Sequence, residues 1–321
     1  PGPAGNFRFV PPPPQIVVIG SLNMDLTVQA PRLPRPGETV LGTDFYQAPG
    51  GKGGNQAVAA ARLGGRVRMA ARVGQDAFGA ALRASLEKEG VDAGAVGITE
   101  AHSGLALIVV DASGQNLIAA YPGANVLLRA QDLDRLEWEP GAWAVAVLEV
   151  PDGAVIRGFE RARKSVGRTI LNAAPARPFA ADLWALTDIL VMNETEAALF
   201  AGRSAEDPAA ALETARALRD RGPATVAVTL GARGSVVVDE VGAWYVPAIP
   251  VQAVDATAAG DAWVGALAVA LARGDGLLRA ATFASAAGAI TVTRRGAQPA
   301  LPCRTETEEL AGRTPAPQRL A

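Results

Sequence analysis

The sequence predicts an α/β protein with a mainly parallel central sheet, helices on both of its faces, and a small separate sheet serving as a lid. From Ala142 onward, short apolar runs alternate with helical stretches, the pattern of a parallel sheet covered on both sides. The opening run Gln15–Gly20 is β-branched and apolar throughout, as a strand buried on both faces requires. Four other stretches, near residues 22–28, 38–47, 104–110 and 116–121, read instead as short strands covered on one face or exposed. A length of 321 residues and a hydrophobic content of 49% suffice for one large core. With neither an internal repeat nor a long linker, one domain over 15–305 with an inserted lid is the economical reading.

Composition narrows the partners. A formal net charge of -2 offers no electrostatic basis for binding nucleic acid or an anionic membrane. The longest strongly apolar run, around Ala262–Ala272, is shorter than the roughly 20 residues a membrane span needs. The single cysteine, Cys303, allows no internal disulfide and fits a reducing, cytoplasmic setting. His102, the one histidine, excludes any mechanism that needs two and reads as a surface residue. Residues 1–14 form a proline-rich lead expected to be disordered and extended.

Along the chain, Gln15–Gly20 is the first core strand. Leu22, Met24, Leu26 and Val28 then alternate with Asn23, Asp25, Thr27 and Gln29, so Asn23 and Asp25 share a polar face. That face is either solvated at an edge or built to hold sugar hydroxyls; Asn and Asp are poor strand residues. A turn over Pro31–Gly37 leads to the expected strand Glu38–Gln47, which with Gly104–Val110 and Asn116–Tyr121 completes a lid able to exclude water from a reaction. Gly50-Gly51-Lys52-Gly53-Gly54-Asn55 reads as a glycine-rich turn before a helix over Gln56–Leu63. It is neither a P-loop, since no Ser or Thr follows the lysine, nor a dinucleotide fingerprint. Arg68–Val73 follows as a strand, Asp76–Glu89 as a helix and Asp92–Val96 as a connector.

Core strands are then predicted at Ala144–Leu148, Thr169–Leu171, Ile189–Met192, Thr225–Thr229 and Ser235–Val238. Ligands of such sheets collect beyond the C-terminal strand ends. There the chain places Glu149, Asn172, Asn193-Glu194-Thr195-Glu196 and Thr229-Leu230-Gly231-Ala232-Arg233-Gly234. Each has a plainer reading, because Asn193 can cap a helix and Gly231 and Gly234 can shape a hairpin turn. Helices follow at Asp261–Arg273 and Gly276–Thr293, and the turn Arg294–Ala300 is expected to pack back on the stretch before them. Beyond Thr305, residues 306–321 are read as a tail with a short acidic helix and a loose, proline-containing end.

Asp255-Ala256-Thr257-Ala258-Ala259-Gly260-Asp261 leads into the apolar helix Ala262–Ala272. Free N–H groups at a helix start favour an anion. An aspartate there is a poor anion ligand but a sensible proton acceptor for an alcohol attacking a phosphate; the alternative is a plain cap.

Four segments together resemble the ribokinase family of ATP-dependent sugar kinases from about Ile16 to Pro302: Gly50–Ala57, Asn193–Glu196, Thr229–Gly234 and Ala258–Asp261. Gly-Ser-Leu-Asn-Met-Asp at 20–25, Pro-Gly-Glu-Thr at 36–39 and Arg-Gly-Ala-Gln-Pro at 295–299 are most similar to its ribose-phosphorylating branch. The resemblance implies a ribokinase-like three-layer α/β/α fold and transfer of a phosphoryl group from ATP to the 5-hydroxyl of D-ribose. Asp261 would be the base, and the amides of Ala258, Ala259 and Gly260 the anion hole. Asn23, Asp25, Gly51, Lys52, Asn55 and Glu149 would hold the sugar. Asn193 and Glu196 would lie near the ATP phosphates and Mg²⁺, and Thr229, Gly231, Gly234, Gly260 and Ser285 would line the nucleotide pocket. A K⁺ site would use Asp255 with carbonyls of Thr257, Thr291, Arg294, Gly296 and Ala300. A homodimer through the lid is also implied. The chain departs from the family at Ala256, where a threonine is usual, and at Ala262-Trp263 in place of Thr-Phe. Other enzymes of this fold, a fructokinase or a deoxyribokinase, are the nearest alternatives. A non-catalytic sugar sensor would be expected to have lost Asp261.

Overall fold

The computed structural model describes residues 13–321, so nearly all of the predicted proline-rich lead lies outside the described residues. Two sheets organise the chain. The 10-stranded sheet contains β1 (Gln15–Ile19), β4 (Arg66–Gly74), β5 (Val96–Thr99), β8 (Trp143–Val147), β9 (Thr169–Asn172), β10 (Ile189–Asn193), β11 (Thr225–Thr229), β12 (Ser235–Val238), β13 (Ala243–Val246) and β14 (Gln318–Leu320). The 4-stranded lid contains β2 (Asn23–Gln29), β3 (Asp44–Gly50), β6 (Gly104–Val110) and β7 (Asn116–Tyr121). The large sheet runs β14-β13-β12-β11-β10-β9-β8-β1-β4-β5. It is parallel from β5 to β11 and antiparallel from there to β14.

The period of 2 in an extended chain splits each central strand between two cores. In β1, Ile16 and Val18 enter one apolar cluster while Val17 and Ile19 enter the other. β10 divides in the same way, Ile189 and Val191 against Leu190 and Met192. Helices Lys52–Arg62, Ala259–Ala272 and Leu277–Thr291 cover the first face, and Asp152–Lys164 and Pro208–Arg219 the second, giving three layers. On one side of β1 the chain continues through β4 and β5; on the other stands β8. This reversal of winding opens a crevice beyond the strand ends, where α/β proteins bind ligands.

Four sequence expectations are corrected. The helix expected to begin at Gln56 begins at Lys52, so the glycines after Gly51 lie inside it. A Cβ on Gly53 would stand 2.6 Å from the Gly20 carbonyl carbon and the Ser21 nitrogen, which makes this glycine a contact between helix and strand rather than a ligand loop. The strand expected at 38–47 is displaced to Asp44–Gly50 and includes Pro49, tolerated because β3 is an edge of the lid. The connector expected at 92–96 leads into a true strand, β5. Finally, the loose end expected after the acidic helix, Arg304–Ala311, terminates in β14, paired with β13 from Ala243↔Leu320 to Tyr245↔Gln318. Three residues with one large apolar side chain carry almost no periodic signal, whereas the open edge of β13 supplies backbone partners that a local reading cannot see.

Helix Ala259–Ala272 is apolar nearly all round because it is buried nearly all round. Its Gly265 lets it lie close to helix Lys52–Arg62: a Cβ there would be 2.8 Å from the Ala59 methyl carbon and the Gln56 carbonyl oxygen. Close packing of these two helices brings the start of one against Asn55 and Gln56 of the other. Among the described residues, no helix is long and apolar enough to cross a membrane.

Candidate active site

At the crevice, Asp261 sits in the first turn of its helix and is 7% exposed. Asn55 Nδ2 donates to its Oδ2 at 2.9 Å and Gln56 Nε2 to its Oδ1 at 3.0 Å. Burial raises the Asp261 pKa above the ordinary carboxylate value, opposed by the charge of Lys52 and by these two amide donors. Lys52 is itself raised, chiefly by the negative charge of Asp261 and, with burial opposing, by Glu149 and Glu196. At Asp25, burial first, then the charges of Glu149 and Asp261, push the carboxyl up to about 7. Thus β2, the Lys52–Arg62 helix, the end of β8 and the start of the Ala259–Ala272 helix bring four charged groups, separated widely in sequence, into one site.

Glycines make room for these groups. A Cβ on Gly50 would overlap the Asp25 carboxylate at 2.2 Å, and one on Gly104 would lie 2.2 Å from Asn23 Oδ1. Gly51, with φ of 83°, precedes the helix and touches the backbone of Asn23. Two positioning contacts were not anticipated from the residue patterns. Asn125 donates to Asn23 Oδ1 at 2.8 Å and accepts from the Leu22 amide at 2.9 Å, although it lies in a 3-10 helix, Gly123–Leu127, too short to carry a periodic signal. Ser21 Oγ donates to Glu149, which also accepts from the Lys52 amide at 3.1 Å. Ser21 stood within the Gly20–Asp25 motif, but only the fold places it opposite Glu149.

The start of the Ala259–Ala272 helix differs from expectation in one respect. Ala258 is its N-cap, in a left-handed conformation at φ of 60°, a strained backbone for a residue with a Cβ. The Ala259 amide makes a long turn bond to the Ala256 carbonyl at 3.3 Å, whereas the Gly260 and Asp261 amides have no backbone acceptor among the described residues. The open donors shown at this helix start are therefore Gly260 and Asp261, the second lying one residue beyond the expected Ala258–Gly260 set.

Beyond β10 and β11, Asn193 and Glu196 form a reciprocal cap: the Glu196 amide donates to Asn193 Oδ1 at 2.8 Å, and the Asn193 amide to Glu196 Oε2 at 2.9 Å. The plain capping role is real, yet the same turn brings Glu196 near Lys52 and Asp261. Burial raises the Glu196 pKa, while the Asn193 amide and Lys52 oppose the rise. Thr229 pairs across to Asn193, and Gly231 and Gly234 both take positive φ in the following turn. A Cβ on Gly234 would come within 2.3 Å of the Val246 carbonyl oxygen. Ser285 is half-buried on helix Leu277–Thr291. An open cleft of about 680 Å³ borders this end, lined among others by Glu194, Thr195, Gly202 and Arg233. A cleft of about 420 Å³ among Phe179, Trp184, Phe200 and Arg221 contains none of the clustered carboxylates.

Asp255 ties two loops together, as anticipated for the turn at 294–300. Its Oδ1 accepts from the Thr257 amide at 2.9 Å and its Oδ2 from the Gly296 amide at 2.8 Å. Burial works against its ionisation, but the hydrogen bonds from Thr257 and Gly296 prevail and hold its pKa below the ordinary value. Thr291 lies at the end of its helix, its carbonyl accepting from the Arg294 amide at 3.1 Å, and Ala300 closes the short turn after Gly296.

A doubly wound sheet, a lid over its crevice and an acidic cluster facing a helix start define an α/β small-molecule kinase. The pfkB family carbohydrate kinase model matches residues 13–304. A ribokinase of Haemophilus influenzae is 36% identical over 297 residues, covering 92% of this chain and 97% of its own. A deoxyribokinase of Salmonella typhi is 34% identical over 291 residues, covering 89% and 95%. The structure of Arabidopsis thaliana ribokinase complexed with ribose and ATP superposes with a TM-score of 0.84 at 29% identity, covering 93% of this chain and 98% of that one. The chain belongs to the pfkB family of carbohydrate kinases, in its ribokinase-like group.

Proposed function

We propose that this enzyme transfers the terminal phosphoryl group of ATP to the 5-hydroxyl of D-ribose, yielding ribose 5-phosphate and ADP. The observation that carries this reading is the buried Asp261 carboxylate, held by two amide donors beside the open N–H groups of Gly260 and Asp261. In the reaction, the sugar oxygen forms a bond to phosphorus as the bond to the ADP oxygen breaks, and Asp261 accepts the hydroxyl proton. The open Gly260 and Asp261 amides hold the transferring group without reorganising, with Ala258 and Ala259 forming the turn that presents them. Asn23, Asp25, Gly51, Lys52, Asn55 and Glu149 hold the sugar, whose neighbouring hydroxyls can donate together to one carboxylate. Thr229, Gly231, Gly234 and Ser285 line the nucleotide side.

The test is a coupled assay over D-ribose, 2-deoxyribose, fructose and adenosine. D-ribose is expected to give the highest kcat/KM; turnover of fructose or adenosine with none of ribose would overturn the assignment. Deoxyribose is the discriminating competitor, since it removes one of the hydroxyls the polar face would bind.

Among the described residues, no group of three acidic, histidine or cysteine side chains could cage a metal. Asn193 and Glu196 would lie beside a Mg²⁺ that keeps water ligands and arrives with the nucleotide, where it would neutralise phosphate charge. For a monovalent cation, the ionised Asp255 would act with the carbonyls of Thr257, Thr291, Arg294, Gly296 and Ala300; the Thr257 and Gly296 amides that donate to its two oxygens hold both loops beside it. All of these ligands except Asp255 are carbonyls, so Ala256 leaves the donor set intact. Replacing K⁺ by Na⁺ at constant ionic strength is expected to lower kcat with little change in sugar KM. Equal rates in both salts would remove the cation role.

The lid also supports a dimer. Register puts Phe45, Leu107, Leu117 and Tyr121 on the lid face opposite Asp25, and each is at least half exposed. A second copy of the chain would cover them. Sedimentation is expected to show a dimer that Leu107→Asp converts to monomer; a monomer for the parent chain at micromolar concentration would rule it out.

A further inference from the structure

We infer that Gln56 is a positioning residue for the proton-accepting carboxylate, fixed in turn by Asn172. The inference rests on the reading of Asp261 as the base. Gln56 is fully buried, and its Nε2 donates both hydrogens, one to Asp261 Oδ1 at 3.0 Å and one to Asn172 Oδ1 at 2.9 Å. Asn172, at the end of β9, has its own orientation set: its Nδ2 donates to the Val191 carbonyl at 3.2 Å, which turns its Oδ1 toward Gln56. A relay of two amides thus runs from the middle of the parallel sheet to the carboxylate. Each amide can point only one way: the opposite flip would set the Gln56 oxygen against Asp261 and the Asn172 oxygen against the Val191 carbonyl.

The cost of this arrangement is visible. Among the described residues, Gln56 Oε1 is buried with no hydrogen-bond partner, a penalty of the kind that persists where a polar group serves a function. A side chain kept only for packing at this position, beside Ala57, Val58 and Ala59, would be served better by an apolar residue. Together with Asn55 on Oδ2, Gln56 leaves Asp261 with an amide on each oxygen, which restrains rotation of the carboxylate. The titratable groups around it are Lys52 from the same helix as Gln56, Glu149 beyond β8, Asp25 from β2 and Glu196 beyond β10. None of these is bonded to Gln56.

Gln56→Met, Asn172→Leu, the double variant and Asp261→Asn are compared by kcat, sugar KM and the pH dependence of kcat. Loss of the Gln56 donor is expected to lower kcat by about 10–100-fold, with sugar KM within about threefold, and to move the acidic limb to higher pH, because the carboxylate loses a bond that favours its ionised form. Asn172→Leu should move the limb in the same direction by less, and the double variant should be no worse than Gln56→Met, as for groups acting in series. An unmoved limb in both single variants, or losses that multiply in the double variant, would overturn the inference. If Gln56→Met does not fold, the limb in Asn172→Leu decides alone. Near-normal turnover of Asp261→Asn would refute the base itself; an inactive Asp261→Asn with an unmoved limb in the Gln56 and Asn172 variants would refute only the relay.

Discussion

Asp261→Asn is expected to reduce kcat by about 10²–10⁴-fold, the usual worth of a general base, while sugar binding is largely kept. The substitution preserves volume in a site where Asn55 and Gln56 approach both oxygens. It removes the proton acceptor, and it sets an amide donor against one of two donors already present. The second effect adds a modest loss of stability, since the neutral amide cannot accept both bonds as well as a carboxylate. It also deprives Lys52 of the charge that contributes most to its raised pKa. Single-turnover measurements separate the chemical step from binding, and calorimetry on the inactive variant reports the sugar affinity. Turnover within a few-fold of the parent would show that proton transfer does not pass through this residue.

The second large effect belongs to Asp25. With its carboxyl pushed up to about 7, the free enzyme holds Asp25 only partly ionised at neutral pH. In the proposed sugar-binding role the hydroxyls need the ionised form as acceptor, so kcat/KM for the sugar should rise with pH through about 7 and level above it. Asp25→Asn should lower kcat/KM by about 10²–10³-fold, from hydrogen bonds to a charged group worth about 1.5–3 kcal/mol each. It should also change the position of the limb, since Asp25 and Asp261 interact.

Stability should move the other way. Because the folded-state pKa of about 7 lies above the ordinary aspartate value of 3.8, folding binds the proton more tightly. The stability this confers is complete below about pH 4 and is lost as pH rises through about 7. Asp25→Asn escapes that loss, so its Tm should exceed the parent's at pH 8, with the difference shrinking as pH falls below 7. A parent-like kcat/KM for Asp25→Asn, or a Tm difference independent of pH, would contradict this assignment.

Part of the site was legible because its chemistry sits in short, unusual strings. Asn23 and Asp25 stood out as poor strand formers on one polar face, and Asp255 and Asp261 as acids around small residues before an apolar helix. The parallel strands were legible for a related reason: a strand buried on both faces must be apolar at every position, a signal that survives without a partner in view. Other residues gave no such sign. Asn125 lies in a short 3-10 helix, and Gln56 is one polar residue in an alanine-rich helix. Gly53 and Gly54 read as a turn because local propensity sets glycine against helix, while the need of a helix to touch Gly20 and Ser21 outweighs that propensity.

The sequence by itself determined the layers, the catalytic aspartate as a candidate and the family resemblance, since each depends on residue type and local spacing. Only the tertiary structure decided which amides clasp Asp261, why Asp25 titrates near neutrality and how the chain closes its sheet with β14. The physical reason is that burial, charge proximity and hydrogen-bond geometry are properties of pairs: Gln56 and Asp261 meet only when two helices pack through Gly265 and Ala59.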